Sequence, residues 1–159
     1  MNKIQYCNNK ALKLTNVLKY KISISDKDFD LSACIEQMKS YIKTKGASQV
    51  GPLIQYTHTF ANEIGQIDMD IFMMLQCNNF IHNVEQPYSM ESVIRVPNAL
   101  YCRYTGPESS LKLAYDKVQL EAFEQNIKLE DCNYTIFISS NEDDDVMVAD
   151  VFVPRASSI

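Results

Sequence analysis

Two stretches far apart in the chain repeat one pattern. PLIQYTHTF at 52–60 is followed by QIDMDIFMML at 66–75, and NYTIFISS at 133–140 is followed by VMVADVFVPR at 146–155. DIFM at 70–73 lies over DVFV at 150–153, after which the first copy continues with Met74 and the second with Pro154. Each stretch alternates and is rich in β-branched and aromatic residues, as half-buried strands are. The intervening ANEIG and NEDDD are short and polar, so each copy reads as a β-hairpin.

What precedes each hairpin is repeated too. LKYKISI at 18–24 alternates like a strand, and the period then changes to helical. Leu31, Ile35, Met38 and Ile42 recur at helix spacing, Asp28 or Asp30 is placed to cap the start, and Gly46 follows a Lys-rich end; the spacing predicts a helix over about 30–44. In the second half ALYCRY at 99–104 is the strand, TGPESS a turn leading into a helix, and Leu111, Ala114, Val118, Ala122 and Phe123 the apolar face of SSLKLAYDKVQLEAFEQNI. Residues 76–92 show little periodicity and read as a crossing connection.

The expected fold is therefore α+β: two pseudo-twofold-related β-α-β-β units, about 18–75 and 97–155, forming an antiparallel sheet. Each unit is too small to bury its sheet face alone. Both helices are expected on one face, and a ligand cleft on the other, at the seam between halves. Residues 1–17 are expected to form an N-terminal extension to a single domain at 18–155.

Strand parity sorts the side chains. In the third strand Ile67, Met69, Ile71 and Met73 form the expected helix-packed set, and Asp68, Asp70, Phe72 and Met74 face the other way. In the last strand Met147, Ala149, Val151 and Val153 are apolar throughout, whereas Val146, Val148, Asp150 and Phe152 share the opposite side. Both halves thus put an acid and a Phe on the face away from the helices. A carboxylate in partly dry surroundings beside aromatic rings suits a cationic or amphipathic ligand. The competing reading makes Asp150 solvent-facing, or the partner of Arg103 or Arg155. Asp70 has the weaker case, because Asp68 shows that its strand tolerates acids on that face. Among 9 Tyr and 7 Phe, Tyr56 and Tyr101 fall on strands and Tyr88 in the connection, where it is placed to close over the seam.

Composition narrows the function classes. A hydrophobic fraction of 46% over 159 residues is ample for a folded core. The net charge of -5 disfavours a general electrostatic hold on nucleic acid or anionic lipid; Lys10, Lys13, Lys19, Lys21, Lys39, Lys43 and Lys45 read as a solvated face. Cys7, Cys34, Cys77, Cys102 and Cys132 contain no CxxC, and with only His58 and His82 there is no zinc spacing, phosphate loop or dinucleotide fingerprint. No cofactor, metal site or catalytic residue is expected. MNKIQYCNNK lacks the apolar core of a signal peptide and no membrane span is apparent, so a cytoplasmic, reducing setting is expected.

GPLIQYTH, DMDIFMML, VPNALYCRYTGPESSLKLAYDKV and the ending ADVFVPR resemble the GyrI-like small-molecule-binding domain, also met as the effector-binding domain of AraC-type and MerR-type transcription regulators. The resemblance covers about 18–155. It implies two fused β-α-β-β units with a ligand cleft, and places Asp150 where a glutamate commonly contacts cationic or polar ligands. Glu108 stands where an aromatic residue usually follows Gly-Pro. About 17 residues precede the first expected strand, too few for a helix-turn-helix region, so a stand-alone sensor or sequestering protein without direct nucleic-acid binding is expected.

The leading expectation is non-enzymatic binding of an amphipathic, cationic organic molecule, with Tyr56, Tyr101, Phe72 and Phe152 as walls, Asp150 as anchor, and Asp70 and Tyr88 as further contacts. Hydrolysis of reactive cyclic compounds is the second reading. The third is a protein-interaction or inhibitor module, in which the acidic loop Glu142, Asp143, Asp144 and Asp145 meets a separate protein partner. Oligomeric state is not legible in the sequence.

Overall fold

A computed structural model describes residues 2–23 and 27–156. The elements are β1 (Lys3–Ile22), α1 (Leu31–Thr44), β2 (Gln49–Ala61), β3 (Ile67–Cys77), β4 (Tyr88–Gly106), a 3-10 turn (Glu108–Ser110), α2 (Lys112–Glu124), β5 (Cys132–Asn141) and β6 (Val146–Val153). Every strand pairing described for them is antiparallel, and with two helices the fold is α+β. Two compact units divide the chain: residues 13–95, and residues 1–12 together with 96–159. β1 and β4 each contribute to both.

In the unit of residues 13–95, Asp30 caps α1 by accepting a hydrogen bond from the Ala33 N–H at 3.3 Å. The helix ends where Gly46 takes φ 77°, which lets the Ala47 N–H reach back to the Ile42 carbonyl at 3.1 Å. β2 and β3 form the expected hairpin, closed at Ala61 opposite Ile67, with the Asn62 side chain accepting from the N–H groups of Ile64 and Gln66. Cys34, Met38 and Ile42 of α1 pack on Leu18, Met73, Leu75 and Cys77. Parity along β3 is as expected, but Ile67 is 77% exposed and Met69 is exposed too. The α1 side chains pack on the later part of the strand, at Met73, Leu75 and Cys77, and the first residues of the expected core stripe lie outside that cluster.

In the other unit, Ala114, Val118 and Ala122 of α2 lie on Leu100, Cys102, Tyr104, Met147, Ala149, Val151 and Val153. The two alanines let the helix backbone approach the sheet closely. The apolar set expected for the last strand is thus the helix-packed one. Phe123, read as part of the α2 face, is instead 85% exposed; it follows Ala122 by one residue, about 100° further round the helix.

Two strands are longer than the sequence indicates. The first expected strand, 18–24, lies within β1 except for its end: Ser23 follows the strand, and Ile24 lies outside the described residues, as does Met1. Residues 3–17, expected to precede the domain, are strand, with Leu12, Leu14 and Val17 buried. β4 begins at Tyr88 rather than near Ala99, so the connection is shorter than 76–92, and Tyr88 is the first residue of a strand.

Candidate functional site

β4 and β6 are in a register that puts Tyr101 opposite Phe152 and Arg103 opposite Asp150. β5 sets Tyr134 opposite Phe152 and Ile136 opposite Asp150 on the other side of β6. These residues alternate with Cys102, Ala149 and Val151, which belong to the α2 core, so they occupy the sheet face away from the helix. Tyr101, Ile136, Asp150 and Phe152 are all buried there. The Tyr101 and Phe152 rings are tilted at 48° with centroids 4.9 Å apart, a favourable aromatic arrangement.

Asp150 is only 7% exposed, and its charge is fully met. Arg103 donates from Nε to Oδ1 at 2.8 Å and from Nη2 to Oδ2 at 2.9 Å, and the Tyr101 hydroxyl donates to Oδ1 at 2.8 Å. A bidentate guanidinium and a phenol replace the water that burial removed. Burial first, and the Asp150 carboxylate second, push the Tyr101 hydroxyl up to about 12. It is a hydrogen-bond donor at neutral pH. Arg103 is held still more firmly protonated by its bonds to Asp150. The Lys10 ammonium of β1 stands 4.0 Å from the centroid of the Tyr101 ring, within cation-π range.

The unit of residues 13–95 has a looser counterpart. Tyr56 is opposite Phe72, their centroids 6.2 Å apart. Asp70 pairs with Lys21 at 3.2 Å, and both side chains are open to water, so this pair contributes little. Lys19 bonds Glu91 at 2.6 Å and its ammonium lies 5.3 Å from the Phe72 centroid. His58 stands opposite Asp70 and its ring stacks on Phe60 at 5.6 Å. The lysines read as a solvated face are thus in part committed to acids, as Lys39 and Lys45 also are to Glu36 and Glu85.

Tyr88 is placed apart from both aromatic pairs. Its ring lies 4.5 Å from that of Tyr41 on α1 and 5.9 Å from that of Tyr20, on the helix side of its unit. With Glu36, Gln37, Ser40, Tyr41 and Thr44 it lines an open groove of about 430 Å³. The groove is wide and shallow, and neither acid of the repeated pattern lines it. The acidic loop is exposed and ordered by Asn141, whose side chain bonds Asp144 and the Asp143 N–H.

Of the expected residues, the structure groups Tyr101, Asp150 and Phe152 in one unit, and Tyr56, Asp70 and Phe72 in the other. The sequence offers Arg103 only as an alternative partner of Asp150, and Lys10 only as a solvated charge. The signal for Lys10 is the alternation of β1, hidden because its first residues are mostly polar. Among the described residues no group of three His, Cys, Asp or Glu is placed to hold a metal ion, and no helix is long and apolar enough to cross a membrane.

No family model matches the sequence, and no curated protein matches it. Solved structures do. EcmrR in its DNA complex within EcmrR-RPo matches at TM-score 0.64 and 15% identity over 99% of this chain, which spans 58% of the length of that one. The EcmrR C-terminal domain taken alone matches at 0.63 and 15%, over 99% of this chain and 98% of that domain. A hydrolase encoded by lin2189 from Listeria innocua matches at 0.52 and 12%, over 98% and 91%. At such identities the likeness is one of fold. The fold is that of the EcmrR C-terminal domain, and it agrees with the GyrI-like resemblance of the sequence.

Proposed function

We propose that the chain binds an amphipathic small organic molecule, as a sensor or sequestering protein, on the sheet face that carries Tyr101, Arg103, Asp150 and Phe152. The carrying observation is the burial of Asp150 beside the Tyr101 and Phe152 rings, with its charge held by Arg103. A buried ion pair is a costly way to stabilise a sheet that apolar residues would stabilise as well. Its placement beside the Tyr101 and Phe152 rings supports a recognition role. The aromatic rings would supply apolar area and the ion pair a fixed polar end. The recurrence of an acid and a Phe in DIFM and DVFV supports reading the chain as a duplicated β-α-β-β unit, with Tyr56, Phe72 and Asp70 as the lesser copy of this face.

A cationic ligand, the class that the resemblance implies, reaches Asp150 only by taking the place of Arg103. Hydrolysis with Asp150 as the base would need its oxygens free. Here the Asp150 oxygens accept from Arg103 and Tyr101, and Tyr101 keeps its own proton. Binding is therefore the better reading. Calorimetric titration of the purified chain with neutral, anionic and cationic amphipathic aromatics tests it. At least one class should bind, and Phe152→Leu should weaken that binding about tenfold. Binding by none, or equal binding by the variant, would reject this face as the site.

A further inference from the structure

Resting on that reading, we infer that the site prefers amphipathic anions, aromatic carboxylates above all, over the cations that its central acid suggests. The charge balance around Tyr101 decides this. Asp150 brings one negative charge, and Arg103 neutralises it in a bidentate pair at 2.8 and 2.9 Å. Lys10 adds a second cation, 4.0 Å from the centroid of the Tyr101 ring, and no carboxylate pairs with it among the described residues. Among the described residues, these three side chains sum to one unit of positive charge.

The spare hydrogen-bonding capacity has the same sign. A guanidinium carries five N–H groups; Asp150 takes one from Nε and one from Nη2, so three, both on Nη1 and one on Nη2, are not used by that pair. The Arg103 side chain is 41% exposed, which leaves its outer edge within reach of solvent. Asp150 is buried and already accepts from three donor groups, two on Arg103 and the Tyr101 hydroxyl. An incoming cation must break two charge-assisted bonds to reach it, whereas an incoming anion breaks none and gains donors from Arg103 and Lys10. The Asp150 carboxylate then serves to hold Arg103 in position, and the aromatic residues meet the apolar part of the ligand.

The test compares three naphthalene probes of equal ring size by calorimetry at low salt: 2-naphthoate, naphthalene-2-carboxamide and 2-naphthyltrimethylammonium. The wild-type chain should bind naphthoate about tenfold more tightly than the ammonium. Lys10→Glu, a change at an exposed position, should lower naphthoate affinity about tenfold while leaving the carboxamide within about twofold. Arg103→Gln, which uncovers Asp150, should reverse the order of the two ions. Ammonium binding equal to or tighter than naphthoate binding in the wild type would overturn the inference, as would unchanged naphthoate affinity in Lys10→Glu. Carboxamide binding without discrimination between the ions would overturn it while leaving the small-molecule reading in place. Binding of none of the three would overturn both.

Discussion

Arg103 holds both oxygens of Asp150 through two nearly equal hydrogen bonds, yet the two residues differ in exposure: the carboxylate is 7% exposed as a residue and the arginine side chain 41%. Their removal should therefore not be symmetric. Arg103→Met leaves a buried carboxylate with the Tyr101 hydroxyl as its remaining side-chain donor, and should cost about 3 kcal/mol. Asp150→Asn keeps an acceptor for Tyr101 and lets the guanidinium turn to water, and should cost about 1–2 kcal/mol. Urea unfolding of both variants checks the order. An Asp150→Asn variant less stable than Arg103→Met would show that the arginine, not the acid, is the trapped charge.

The Tyr101 hydroxyl gives a pH dependence with a definite sign. Its value rises from the ordinary 10.0 to about 12 in the fold, through burial first and then its bond to Asp150. Below the unfolded value both states keep the proton and the contribution to stability is complete. As pH rises through the window from 10.0 to about 12 the unfolded chain releases the proton first, and that contribution is lost. Cys102, raised by burial from 9.0 to about 11, acts in the same direction slightly earlier. The urea midpoint should fall between about pH 9 and about pH 12, and Tyr101→Phe should make the upper part of that fall shallower. An unchanged alkaline profile in Tyr101→Phe would remove the phenol from its buried bond.

The legible parts of the fold are those where burial is one-sided and dense. Met38 and Ile42, Ala114 and Val118, and the alternation around Phe72 and Phe152 announce two helices and two hairpins, because each element covers an apolar face. β1 is legible only from Leu18 onward, since Gln5, Cys7, Asn8, Asn9 and Lys10 expose their side chains, and a strand held by backbone bonds at such positions has no hydrophobic period to show. The start of β4 at Tyr88 is hidden for the same reason: Ser89, Ser92, Val93 and Arg95 are all exposed, so its first half carries no buried stripe. In the site, parity places Asp150 and Phe152 on the right face. Which cation meets Asp150 depends on cross-strand register, and Arg103 is opposite it where Arg155 is not.

Burial separates two residues that sequence periodicity treats alike. Met38 is fully buried between α1 and the sheet, whereas Phe123 points outward from α2. Met38→Ala should cost about 2–5 kcal/mol through lost burial and a cavity. Phe123→Ala should change stability by no more than about 0.5 kcal/mol despite removing the larger side chain. Thermal or urea unfolding of the pair decides it, and a large loss in Phe123→Ala would place that ring in a contact.

Thiol chemistry should rank the cysteines by packing. Cys7 is exposed on β1, while Cys34, Cys77 and Cys102 are buried, and burial raises all three of their thiols. Attack on a labelling reagent needs the thiolate and needs access, and the buried three lack both until the fold opens. Cys7 should react with iodoacetamide before the buried three, because it is exposed. Cys34, Cys77 and Cys102 should react slower by about the fraction of time that their unit is open, at least a hundredfold. Peptide mass mapping over a time course gives each rate. Labelling of Cys102 as fast as Cys7 would mean that α2 does not cover the sheet behind Asp150.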